Sequence, residues 1–166
     1  MPRQPRLDAP GALHHVMGRG IERTTIFRAD RDREDFLNRL ADLCLDGNLH
    51  VYAWCLLSNH FHLLVRTGRQ PISGSMRKLL TGYVVNFNLR HKRHGHLFQN
   101  RYKSIICEDD PYLLELTRYI HLNPVRAGMV GPGFWVRGQN RGTRKYKKPV
   151  FMRSYEEVVV HCLHYT

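Results

Sequence analysis

Two histidines one residue apart, His60 and His62, interrupt the apolar run HFHLLV at residues 60–65. Side chains two apart on a β-strand project from the same face. On a strand the two imidazoles therefore stand side by side, while Phe61, Leu63 and Val65 fill the opposite face. Such a pair is either half of a metal grip or two polar groups on a wet sheet face, and taken alone it is more often the latter. Further along, Tyr119 and Asn123 are four residues apart, so on a helix they share a face. A helix laid over the sheet beside the histidines would let the Asn123 amide oxygen complete a site of two imidazoles and one oxygen, with Tyr119 one turn away. A phenol of ordinary pKa near 10 is a poor nucleophile at neutral pH. It needs an electrophilic phosphate, and a divalent ion on the non-bridging oxygens supplies one by Lewis-acid polarisation.

Each of these residues has a plainer reading. Tyr119 by itself would more often be a core or interface aromatic. Tyr83, Tyr102 and Tyr112 are rival nucleophiles, of which Tyr83 falls on an apolar stripe. Asp109 and Asp110 have the composition of a catalytic pair, but a helix start explains them. At about 1.5 Å per residue, Asp110 would lie about 14 Å from Tyr119 along a helix axis. His50, His94, His96 and His121 lack the pairing of His60 and His62 and read as solvated or hydrogen-bonded.

The elements that must carry these groups can be traced along the chain. Leu13 to Met17 reads as a first strand, ended by Gly18-Arg19-Gly20. Asp30 is placed to cap a helix to about Asp46, with Phe36, Leu37, Leu40 and Leu43 as its apolar stripe and Gly47 as its stop. Residues 49–57 form a second strand, Ser58-Asn59 a turn, and residues 60–66 the returning partner strand. Met76, Leu79, Leu80, Tyr83 and Phe87 recur at helical spacing from Ser75 to about Arg90. Residues 97–107 contain a fourth strand. Asp110-Pro111 is a strong helix start, and that helix carries YLLELTRYIHLN to Asn123, where Pro124 disfavours continuation. The predicted fold class is α+β, a ferredoxin-like βαββαβ antiparallel sheet with an additional C-terminal helix carrying the candidate nucleophile Tyr119. Residues 1–130 form the domain, and residues 131–166 read as a basic, partly irregular extension.

The chain of 166 residues carries 26 Lys plus Arg against 14 Asp plus Glu, a net charge of +12. That excess points to a polyanionic partner, nucleic acid above all. Arg19, Arg23, Arg101, Lys103 and Arg126 have a phosphate-binding rationale beside the site, against the plain alternative of a solvated surface. The basic runs at residues 90–96 and 137–148 could follow a DNA backbone, and Phe98 and Tyr102 could stack on unpaired bases, with core packing an equal alternative for Phe98. The four cysteines, Cys44, Cys55, Cys107 and Cys162, form no Cys-x-x-Cys pair, which argues against a cysteine zinc site or a disulfide scaffold. No stretch approaches the roughly 20 apolar residues of a membrane span, and no signal region is visible. A reduced, cytoplasmic protein is expected, with no membrane partner.

The segments GRGIERTTIF, NHFHLLV and GHLFQNRYKSIICEDDPYLLELTRYIHLNPVRAG, in that order, resemble the HUH single-tyrosine transposases, specifically the REP-associated tyrosine transposases. The resemblance runs from about residue 12 to residue 130. It implies a metal-dependent enzyme that nicks and joins single-stranded DNA at hairpin-forming repeats. By position it makes His60 and His62 metal ligands, Tyr119 the nucleophile and Asn123 the third ligand, where some relatives have glutamine. The cofactor it implies is Mg2+ or Mn2+; imidazole ligands suit manganese better. Attack by Tyr119 would leave a 5′-phosphotyrosine and a 3′-hydroxyl. The family includes dimers and more monomeric groups, so a monomer or a homodimer is expected. Two alternatives stand beside this reading: a non-catalytic module gripping single-stranded DNA or RNA on its sheet, and a replication initiator of the same chemistry.

Overall fold

The fold is that of a computed structural model, which describes residues 9–107 together with 119 and 120. Six elements follow one another: β1 (Leu13–Arg19), α1 (Asp30–Leu45), β2 (Leu49–Leu56), β3 (His60–Thr67), α2 (Ile72–Arg90) and β4 (Lys103–Cys107), with a 3-10 turn at Ile21–Arg23 after β1. The four strands form one antiparallel sheet in the order β2-β3-β1-β4. Each helix thus joins two strands that have a third between them, which is the expected ferredoxin-like topology.

Helix α1 presents Phe36, Leu40 and Leu43 to the sheet, and α2 presents Ile72, Met76, Leu79, Tyr83 and Phe87. They meet Val16 of β1, Phe61, Leu63 and Val65 of β3, and Leu49, Val51, Trp54 and Leu56 of β2 in one core. A fully buried Leu or Phe contributes about 1.5–3 kcal/mol, so this face carries most of the stability. Gly47, at φ +69°, ends α1 in the left-handed conformation that glycine adopts without strain. Gly18 of β1 pairs with Phe61, and a Cβ there would lie 2.4 Å from the ring. The missing side chain is what lets Phe61 lie flat across the sheet.

The opposite face divides in two. At one end Leu13, Ala53, Cys55, Leu57, Leu64, Cys107 and Ile120 form a second buried cluster. Tyr119 and Ile120 are helical, with Ile120 fully buried and Tyr119 41% exposed. Helical residues beyond β4 therefore cover part of the face that α1 and α2 leave open. The rest of the predicted third helix, to Asn123, lies outside the described residues, as does Arg126. So do Tyr112, Asp109, Asp110, His121, the boundary at residue 130 and the basic extension of residues 131–166.

Several local expectations are corrected. Helix α1 is capped at Ala29, not Asp30. The capping carboxylate is that of Asp32, which accepts the Arg28 and Ala29 N–H groups at 2.9 and 3.0 Å. Helix α2 begins at Ile72, one turn before Ser75, because Pro71 sits at its N-cap. Strand β1 continues through Gly18 and Arg19, which pair with Phe61 and His60. The fourth strand expected within residues 97–107 is Lys103–Cys107, and the segment before it joins the sheet through a bridge from Gly20 to Phe98. Tyr102 is buried and Phe98 packs edge-on against Phe61. Neither is a free stacking platform, because the apolar core claims both rings.

Candidate active site

Strand period places His60 and His62 where the alternation predicted, on the face away from Phe61, Leu63 and Val65. Their ring centroids are 5.2 Å apart and nearly perpendicular. Antiparallel pairing puts Arg19 opposite His60 and Met17 opposite His62, and Lys103 opposite Met17. On the other side, the register shifts between Val51 and Ala53, so Cys55 faces His62. Without that extra residue Trp54 would take the position, and the alternation of β2 would be inverted beyond it. The backbone at residues 97–99 is held to β1 by Ile21 N–H to Leu97 O and Gln99 N–H to Arg19 O. This brings Arg101 and Lys103 to a cleft whose other walls are Met17, Arg19, His60 and His62.

Tyr119 reaches the same place. Its ring centroid is 6.3 Å from that of His62, edge to face. Tyr119, far along the chain from both β1 and β3, is thus brought beside the histidine pair as the helical reading required. Of the rival tyrosines, Tyr83 is fully buried and donates its hydroxyl to Ile26 O, and Tyr102 is buried.

Two residues that sequence reasoning passed over hold the pair in place. His15, from β1, places its Nε2 3.1 Å from His62 Nδ1, and the two rings stack at 5.3 Å. Asn59, in the hairpin turn, places Oδ1 2.7 Å from His60 Nδ1 and donates Nδ2 to Arg23 O at 3.2 Å. For Asn59 the signal was its adjacency to His60. For His15 it was the shared parity with Met17 and Arg19, which is informative only once the strand register is known.

Burial decides the charge of these groups. It pushes His62 down to about 3, helped by His15, His60 and Arg19, and pushes His15 down to about 4, helped by Lys103. Burial and then Arg19 lower His60 as well. All three rings are therefore neutral at pH 7 and retain a lone pair. Burial raises Cys55 to about 12, so the thiol opposite His62 stays protonated. Among the described residues no set of three or more His, Cys, Asp or Glu side chains is arranged to hold a metal ion. What the described chain offers is two neutral imidazoles, the first two donors of the expected set.

Arg19, Arg101 and Lys103 are exposed around the cleft, as expected. Arg23 sits on the adjoining turn with its carbonyl bound to Asn59, and its side chain is not part of the cleft wall. The basic run at residues 90–96 is partly turned inward: Arg90 and His91 both bind the buried Asp32. No helix among the described residues is long and apolar enough to cross a membrane.

A family model described as "Transposase IS200 like" matches residues 11–123. The chain belongs to the IS200-like transposase family. The match spans both cleft histidines, Tyr119 and Asn123. The fold of this transposase is similar to that of a solved REP-associated tyrosine transposase bound to a REP hairpin, with a TM-score of 0.63 at 16% identity over 92% of this chain and 98% of that one. A provisionally assigned transposase from Deinococcus radiodurans R1 aligns with a TM-score of 0.48 at 15% identity, over 72% of this chain and 96% of the other. A search of curated protein sequences finds no match to this transposase.

Proposed function

We propose that this transposase nicks and joins single-stranded DNA at hairpin-forming repeats, with Tyr119 as its nucleophile. The observation that carries the reading is the half-exposed Tyr119 ring standing 6.3 Å from His62, above a cleft edged by Arg19, Arg101 and Lys103. The Tyr119 hydroxyl oxygen attacks the scissile phosphorus and the bond from phosphorus to the 3′ oxygen breaks. The 3′ oxygen leaves as a hydroxyl, taking up a proton as the phenol gives one away, and the 5′ end stays on Tyr119 as a phosphotyrosine. Attack by another 3′-hydroxyl reverses the step and rejoins the strand, so no nucleotide energy source is needed. Arg19, Arg101 and Lys103 would steer and hold the phosphates on either side. Arg126 is assigned the same role by its position.

The donor set fits a divalent cation, Mg2+ or Mn2+. His60 and His62 would hold it through neutral nitrogens, with Asn123 supplying an amide oxygen. When bound, such an ion polarises the non-bridging oxygens and makes phosphorus more electrophilic. The hairpin substrate is supported by the REP hairpin held by the structurally similar transposase. A binding module that spreads nucleic acid over its sheet is disfavoured. The helices cover one face, Ile120 covers part of the other, and the candidate stacking rings belong to the core.

The test is incubation of the protein with labelled single-stranded hairpin oligonucleotides and Mn2+. A protein–DNA adduct that survives denaturant is expected, and Tyr119→Phe should abolish it while leaving DNA binding. Binding without an adduct on any repeat hairpin would sink the enzymatic reading.

A further inference from the structure

Each cleft imidazole spends one ring nitrogen inside the protein, and the partners decide which. Asn59 Nδ2 donates to Arg23 O at 3.2 Å, which sets the amide: turned over, its oxygen would face another carbonyl oxygen. Asn59 Oδ1 is therefore the atom 2.7 Å from His60 Nδ1, and a carbonyl oxygen only accepts. His60 Nδ1 must carry the proton. In a neutral ring the lone pair is then on Nε2. His62 Nδ1 and His15 Nε2 are 3.1 Å apart, and here either nitrogen could donate. Only donation from His62 to His15 leaves His62 with its lone pair on Nε2, matching His60. Stacking against His15 also holds the His62 ring in its plane.

We infer that Asn59 and His15 are positioning residues that hold His60 and His62 in the Nδ1-protonated tautomer and so present both Nε2 lone pairs to the cleft. The His62 tautomer and the purpose of the arrangement rest on the proposed cation site; the His60 tautomer follows from Asn59 alone. A neutral imidazole free in water prefers its proton on Nε2, so both rings are held against their intrinsic bias. A hydrogen bond at one ring nitrogen is the usual means by which proteins select the tautomer that can ligate. The partners here are unusual in kind. One is a side-chain amide pinned by a turn carbonyl, and the other is a second histidine from a neighbouring strand. No carboxylate lies among the described residues lining the cleft, and neither partner adds negative charge beside the approaching phosphate.

The experiment uses the whole chain labelled with 15N-histidine, at pH 7 and without metal. Long-range proton–nitrogen correlation spectra should show His60 and His62 protonated on Nδ1. Asn59→Leu should return His60 to the Nε2-protonated form, whereas Asn59→Asp, which keeps an acceptor, should not. His15→Phe keeps the stacked ring but removes the acceptor, and His15→Gln restores one. Titration with Mn2+, followed by electron paramagnetic resonance, should show Asn59→Leu and His15→Phe binding about 10–100-fold more weakly. The Asp and Gln variants should remain within about 3-fold of the wild type, less than that second-shell loss. Wild-type spectra with both rings protonated on Nε2 would overturn the inference, and so would Leu and Phe variants that bind Mn2+ as tightly as the wild type. Nδ1-protonated rings in a wild type that binds no Mn2+ would instead overturn the cation site. The two failures are therefore distinguishable.

Discussion

The Asp32 cluster between the helices and the His62 cluster on the far face of the sheet bury polar groups by opposite means. Asp32 is fully buried, and its carboxylate accepts from the Arg28 and Ala29 N–H groups, from Arg90 and from His91. Burial alone would raise its pKa. The hydrogen bonds from His91, Ala29, Arg90 and Arg28 outweigh burial and hold it below the ordinary carboxylate value. The charge is matched from within the fold, so nothing further is required of a ligand. At His62 the buried rings are neutral, and among the described residues the surrounding charges are the cations Arg19, Arg101 and Lys103, with no carboxylate lining the cleft. Among the described residues that positive charge has no internal match, which is what the proposed phosphodiester site needs and an ion pair that only supports structure does not.

The sharpest way to break the comparison is to remove the internal anion. Asp32→Ala strands Arg90 and His91 and uncaps α1, and should lower stability by about 3–5 kcal/mol in denaturant unfolding, since a buried pair loses one member. Its pH dependence has a definite sign. The folded-state pKa of Asp32 is lowered, so its contribution is present above the unfolded value of about 3.9 and is lost as pH falls through the lower folded value. Asp32→Asn should flatten that acid limb of the stability curve. A variant as stable as the wild type would mean that the cluster is not self-contained.

The His62 cluster should respond in the reverse manner. His62→Leu exchanges a neutral buried ring for an apolar side chain and leaves one His15 nitrogen without its partner. Stability should change by no more than about 1–2 kcal/mol, while adduct formation with hairpin DNA disappears. A large loss of stability would mean that this cluster, too, is chiefly structural. The smallest expected effect concerns the surrounding cations. Arg101→Ala should reduce the slope of log affinity against log salt by about 0.7, the share of one phosphate contact on a single strand, with unchanged thermal stability.

The parity of β3 was readable from HFHLLV because the strand period is a local property of the backbone: Phe61, Leu63 and Val65 had to face one way and His60 and His62 the other. The stripes of α1 and α2 and the stop at Gly47 were readable for the same reason. The expectation failed where tertiary packing outranked local chemistry. Tyr102 looks like a base-stacking ring in a basic segment, yet the core takes it, and of the two readings open for Phe98 the core one holds. Asp30 has a good capping side chain, yet Asp32 takes the role, because Arg90 and His91 arrive from α2, 58 and 59 residues away.

By itself, then, the sequence determined the strand and helix periods, the side of the sheet on which the histidines stand, the basic character of the protein and the pairing of a histidine motif with a later tyrosine. Only the tertiary structure decided what those histidines touch. His15 meets His62 across 47 residues because β1 pairs beside β3 in one register. Cys55 faces His62 because one extra residue in β2 shifts that pairing. Tyr119 stands at the cleft beside Ile120, which packs into the second apolar cluster. Register and packing are properties of two chain segments together, and no single segment encodes them.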